Sequence, residues 1–176
     1  MSDAAGNPFT FEILLGSGSS ENQSIIDMYV QSLERIGVTP TIAVVDGAQY
    51  KERTDAYDFD MTYMRRGLSL SPGNEQNLYW GSAAANEPGG RNLMGVQSAA
   101  IDAMIDRLLT SPNQDDFLAA TRALDRLLTA GRYVIPIYQW NISRIAHDKN
   151  LRYPDTMPIF GDWPGWQPDV WWYEES

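Results

Sequence analysis

Arg65, Arg66, Ser69, Ser71, Asn74, Trp80, Arg91 and Asn92 gather hydrogen-bonding and aromatic groups within one stretch that follows a strand-like segment. Ligands of open α/β sheets bind beyond the ends of strands, in crevices lined by such groups. Arg65-Arg66 is the only adjacent basic pair in a chain of 176 residues with 13 Lys+Arg, 23 Asp+Glu and a formal charge of -10. Two arginines in so acidic a chain could take a ligand carboxylate through bidentate, charge-assisted bonds. They could equally neutralise neighbouring acids on the surface.

Other constellations carry less chemistry. Gly16-Ser17-Gly18-Ser19-Ser20-Glu21 lies between a strand and a helix, with Asp46 closing the next strand, as in a dinucleotide-binding turn. The third glycine is absent, and Glu21 puts negative charge where phosphate would sit. Asp58 and Asp60 share a strand face, as paired carboxylates of a glycosidase would, but alternation also fits two solvated acids at a strand's start. His147 is the only histidine and cysteine is lacking, so neither a His-based metal site, a thiolate site nor a thiol nucleophile can be assembled. No nucleophile elbow marks a catalytic serine. Neither catalysis, a metal nor a cofactor is signalled, and the net charge opposes nucleic acid and anionic lipid.

The elements that must hold the Arg65 stretch follow from periodicity. Phe9 to Leu15 predicts a strand, Ile25, Ile26, Tyr29, Val30, Leu33 and Ile36 a helix, and Thr39 to Val45 a second strand. Ser20 with Gln23 fits a capping box, and Gly37 fits a left-handed helix stop. A short helix over 48–54 and a strand from Phe59 to Met64 repeat the pattern, giving a mixed or parallel sheet flanked by helices, an α/β fold. Residues 65–94 read as long loop with one helical turn near Glu75 to Trp80. Two helices follow, one carrying Ile101, Met104, Ile105, Leu108 and Leu109 and one capped by Asn113 and ended by Gly131. Tyr133 to Trp140 and Ile142 to His147 predict two strands, the first at an edge or bulged because of Pro136. Little regular structure is expected after Asn150, where Trp163, Trp166, Trp171 and Trp172 crowd a tail that should dock on something.

Taken in order, Asp58-Phe59-Asp60-Met61, Ser69-Leu70-Ser71-Pro72-Gly73-Asn74-Glu75-Gln76, Trp80-Gly81-Ser82, Arg91-Asn92-Leu93 and Ala119-Ala120-Thr121-Arg122-Ala123-Leu124-Asp125-Arg126 resemble the C-terminal part of the family 5 extracellular solute-binding proteins, most closely their YejA-like oligopeptide-binding branch. The likeness runs over almost the whole chain. It implies a fragment of a two-lobed periplasmic subunit of an ABC importer: residues 1-150 as most of lobe 2 of a type 2 periplasmic binding fold, and residues 151-176 as a tail docking on the missing N-terminal lobe. A signal peptide would then lie upstream, and no catalysis is implied.

The resemblance further implies a peptide or peptide-like solute held between the lobes, and permease subunits in the inner membrane as partners. Tyr63, Arg65, Arg66, Ser69, Asn92 and Trp140 are the expected ligand contacts, the arginines as donors and the aromatics as walls. Dipeptide-binding relatives hold the ligand amine with an Asp that this chain lacks before Pro72, so arginines near the cleft would suit an anionic group instead. Exposed tail tryptophans would also allow self-association. The alternative from another class is a small nucleotide-dependent enzyme using the Gly16-Gly18 turn.

Overall fold

The computed structural model describes residues 2, 4–67, 71–139, 144–156 and 170–175. These divide into two compact units, Met1–Val134 and Ile135–Ser176. The last long helix ends at Gly131, just before that division.

In the first unit, strand β1 (Glu12–Gly16) runs between β2 (Thr41–Val45) and β3 (Met61–Thr62), all parallel, with Glu12 opposite Thr41 and Ile13 opposite Met61. The sheet is therefore parallel rather than mixed. Each connection contains a helix, α1 (Ser20–Glu34) and then α2 (Gly47–Asp55), and such crossovers return the chain in the same direction. A central parallel strand is covered on both faces, and accordingly Ile13, Leu14 and Leu15 are all buried. Ile13 and Leu15 pack with Ile26 of α1, Met61 and Tyr63.

The start of α1 differs in detail from expectation. Ser19, not Ser20, is the cap and accepts from the Asn22 amide at 3.2 Å, while the Gln23 side chain bonds Asp27. The preceding Gly18 has a φ of 100°, so the turn itself places Ser19 in the extended conformation a cap requires. Gly37 is also in the left-handed region, as a helix stop demands.

After β3 the chain forms α3 (Glu75–Trp80), a 3-10 turn (Ser82–Asn86), α4 (Ala99–Leu109) and α5 (Gln114–Gly131). Ile101, Ile105 and Leu108 of α4 meet Ala120 and Leu124 of α5, and Trp80 and Val96 complete this second core. Asn113 caps α5 by accepting from the Asp116 amide at 2.9 Å. Gly131 is the last helical residue, with Arg132 left-handed after it. A Cβ at Gly131 would overlap the Tyr133 ring.

Neither predicted strand over 133–147 forms among the described residues: Tyr133–Gln139 and Arg144–His147 lie outside any ladder, while Trp140 and Ile142 fall outside those residues. Alternating apolar residues make a strand only when another edge supplies hydrogen bonds, and Val134, Ile135, Ile137 and Tyr138 are exposed instead. Within the second unit, β4 (Leu151–Arg152) and β5 (Trp172–Tyr173) pair antiparallel, a short ladder where little regular structure was expected. Beside it Trp171 packs on His147 and Tyr153, with ring centroids 5.2 Å and 5.0 Å away. Trp163 and Trp166 lie outside the described residues.

Candidate functional site

Parallel strands all end on one side, and there β1 and β3 open a cleft of about 480 Å3. Ser17, Ser19 and Asn22 line it from the turn and first helical turn of α1, Tyr50 from α2, and Tyr63 and Arg65 from the exit of β3. The Tyr50 hydroxyl lies 2.8 Å from both the Tyr63 carbonyl and the Thr62 hydroxyl, and Thr62 donates to the Leu14 carbonyl at 3.0 Å. These bonds tie α2 to the strand ends, so the floor of the cleft is set by the sheet rather than by a free loop.

Arg65 reaches across the mouth. Its Nη2 donates to Glu21 Oε2 at 3.0 Å, and its Nε donates to the Tyr63 hydroxyl at 3.2 Å. The guanidinium and the carboxylate are both mostly exposed, at 60% and 54%. The cleft and its mouth thus present one positive and one negative group, two serine hydroxyls, the Asn22 amide and two tyrosines, a set able to orient a polar solute. A phosphate at this turn would meet Glu21 in the first turn of α1, which argues against the nucleotide alternative.

Of the six expected ligand contacts, the structure brings Tyr63 and Arg65 together in the cleft. Arg66 turns the other way, its guanidinium carbon 3.4 Å above the Tyr79 ring and 5.4 Å from that of Trp80. Burial pushes its pKa below the ordinary arginine value, with Tyr79 and Glu75 opposing that shift. Asn92 is inaccessible to solvent and holds the loop together: it donates to the carbonyls of Gly81 at 3.0 Å and Val96 at 2.9 Å and accepts from the Val96 amide. Its polar groups therefore face the protein, not the cleft. Ser69 and Trp140 lie outside the described residues.

Ser17, Asn22 and Tyr50 were not singled out from sequence as cleft residues. The strand-to-helix turn carried the signal, since residues following a parallel strand sit at the ligand-binding end of the sheet. Asp58 and Asp60 are structural: Asp58 accepts from Arg53 Nε at 2.7 Å, and Asp60 accepts from the Glu12 amide at 2.9 Å. Among the described residues no group of three or more His, Asp or Glu is placed to hold a metal ion. Among the described residues no helix is long and apolar enough to cross a membrane.

A strand-end cleft with hydrogen-bonding and aromatic walls has the position and lining of a small-solute site in an open α/β sheet. The chain is homologous to part of the YejA-like proteins and carries part of the fold of the periplasmic oligopeptide-binding proteins. It is 44% identical to the uncharacterized protein y4wM of Sinorhizobium fredii over 171 residues, 97% of this chain and 25% of that protein. It is 41% identical to the "Probable peptide-binding protein YejA" of Agrobacterium fabrum, over 96% of this chain and 27% of the relative. The peptidoglycan-binding protein YepA of the same organism is 40% identical over 98% of this chain and 27% of its own length.

Among solved structures, the oligopeptide-binding protein AppA of Bacillus subtilis, in complex with a nonapeptide, superposes with a TM-score of 0.71 at 16% identity, over 98% of this chain and 33% of that one. The ABC transporter-associated periplasmic binding protein DppA of Helicobacter pylori, in complex with the peptide STSA, gives a TM-score of 0.55 at 19% identity, over 70% of this chain and 24% of that one. No family model matches the chain. The chain spans about a quarter of the length of the curated relatives it matches.

Proposed function

We propose that this chain forms the greater part of one lobe, the second, of a periplasmic subunit that binds peptides or peptide-like solutes for an ABC importer. The observation that carries this reading is the cleft at the ends of β1 and β3, where Tyr63, Arg65, Ser17 and Asn22 converge in a chain homologous to peptide-binding proteins. In this reading the solute bridges two lobes and shifts an open-closed equilibrium, and the closed form docks on the permease. Arg65 donates to a carboxylate or carbonyl of the solute, and Tyr63 forms a wall. Ser69 and Trp140 are proposed further contacts from the flanking segments. The name of the relative YepA favours peptides that carry cell-wall components as one cargo class.

The test is calorimetry on the full-length protein with a peptide library and with muropeptides. Binding of either class, weakened at least tenfold by Arg65→Ala with an unchanged melting temperature, is the expected result. Half a cleft retains few of the contacts, so the isolated chain should bind the same solutes at roughly millimolar strength or weaker. A melting-temperature rise of the isolated chain with NAD or ATP, alongside full-length protein that takes no peptide, would overturn the reading.

A further inference from the structure

Arg66 and Arg91 stand around one aromatic ring outside the cleft. The Arg66 guanidinium carbon lies 3.4 Å from the Tyr79 centroid and that of Arg91 lies 5.9 Å from the same centroid. Among the described residues neither forms an ion pair, although the chain carries 23 acids, and the Arg66 Nε is buried with no hydrogen-bond partner. Glu75 attracts Arg66 through space but forms no ion pair with it, and its Oε1 accepts from the Gly73 amide at 2.9 Å and from Gln76 at 3.0 Å. Two like charges gathered on one ring repel each other, and a buried donor left unbonded is costly. Surface arginines that serve only solubility would not be held this way.

The scaffold holds both groups in place. Tyr79 precedes Trp80, which is buried in the α4–α5 core. Arg91 lies between Gly90 and Asn92. A Cβ at Gly90 would come within 2.7 Å of the Glu87 carbonyl, and Asn92 is fixed by three hydrogen bonds, so the backbone under Arg91 has little freedom. Stacking on Tyr79 fixes the plane of the Arg66 fork and leaves its terminal nitrogens to act with Arg91.

We propose that Arg66 and Arg91, arrayed on Tyr79, form an anion site that takes a carboxylate group, separate from the Arg65 cleft. The planar forks match the two oxygens of a carboxylate, and Tyr79 offers an apolar surface to the carbon chain that carries it. The site is complete within the first unit of this chain and stands whether or not the cleft binds peptides.

Side-chain NMR of the uniformly nitrogen-15-labelled chain tests this, with the arginine Nε–Hε signals assigned through Arg66→Lys and Arg91→Gln. Titration with N-acetylglycine at constant ionic strength should move the Arg66 and Arg91 signals along one saturable curve at roughly millimolar concentration. N-acetylglycinamide, which lacks the charge, should leave them in place. Arg91→Gln, an exposed change with an unaltered backbone spectrum, should weaken the Arg66 response about fivefold through loss of one charge-assisted partner. A linear drift reproduced by chloride, a stronger response to inorganic phosphate than to N-acetylglycine, or an Arg66 response indifferent to Arg91→Gln would each overturn the proposal.

Discussion

Arg65 and Glu21 join the exit of β3 to the first turn of α1 through a 3.0 Å contact at the mouth of the cleft. Both groups are more than half exposed, so water and salt screen the pair and its effect on stability is small. Its importance lies in where it sits. A solute entering the cleft meets the cation and the anion together, and must either lie along the pair or part it.

Glu21→Gln is therefore expected to change stability by less than about 1 kcal/mol in urea unfolding. In the full-length protein the same change should strengthen binding of solutes with a free carboxylate and weaken binding of those with a free amine, as calorimetry would show. Equal effects on both solute types would mean that the pair does not face the ligand.

Asn92→Ala should behave in the opposite way. Removing a fully buried amide leaves the Val96 carbonyl and the Val96 amide without partners, at about 1–3 kcal/mol for each group that water cannot reach, while the Gly81 carbonyl keeps the Ala84 amide at 3.1 Å. A total loss of about 2–6 kcal/mol is expected from urea titration. A variant of native stability that has lost solute affinity would show that Asn92 serves the ligand instead.

The different fates of Arg65, Arg66 and Asn92 show where sequence reading stops. Strand, helix and crossover positions up to Thr62, the helix at Glu75–Trp80 and the α4–α5 hairpin are legible, because apolar spacing and caps are local. Arg65 enters the cleft while its neighbour Arg66 stacks on Tyr79, and the adjacent pair in the sequence does not say which does which. Whether Asn92 meets solvent depends on how the loop between Gly81 and Val96 wraps around it, a long-range matter. The stretch from Tyr133 to His147 has the pattern of strands, yet the pattern cannot supply the partner edge that a ladder requires.

Gly90→Ala should destabilise the first unit by about 1–3 kcal/mol, the usual effect of forcing an atom into a packed site. The added carbon would lie 2.7 Å from the Glu87 carbonyl and 2.8 Å from the Tyr57 hydroxyl, and neither backbone nor a hydrogen-bonded phenol yields easily. Thermal unfolding would measure the loss. A neutral outcome would show that the turn between the 3-10 helix and Asn92 is adaptable.

Glu75 gives a pH dependence with a definite sign. The Gly73 amide, its largest influence, holds the carboxyl below its ordinary value of 4.5 in the folded chain. Its contribution to stability is therefore present above that value and lost as pH falls toward the lower folded-state value. Glu75→Gln should make the acid side of the stability curve shallower below about pH 4.5 and leave the neutral side unchanged in shape. Urea titrations across that range would reveal it, and an unchanged acid slope would sink the assignment.

In the second unit, Trp171 and Trp172 should separate packing from association. Trp171 sits against His147 and Tyr153, whereas Trp172 and Tyr173 are 51% and 59% exposed. Trp172→Ser should reduce self-association of the chain at high concentration, as measured by light scattering, while Trp171→Ala should perturb the His147 and Tyr153 NMR signals. Identical mass distributions for native chain and Trp172→Ser would show that the exposed face is not an association surface.

Arg53 joins α2 to the start of β1 through Glu12 at 2.7 Å and holds Asp58 at 2.7 Å, while Asp60 binds the Glu12 amide. All of these contacts lie at the edge of the sheet opposite the cleft. The strand starts are thus tied by charged side chains, while at the cleft end the neutral hydroxyls of Thr62 and Tyr50 join β3 to β1 and α2. The cleft lining therefore falls into two kinds: Asn22 and Arg65 can be exchanged without touching any tie between strands, whereas a change at Tyr50 would loosen the sheet along with the cleft.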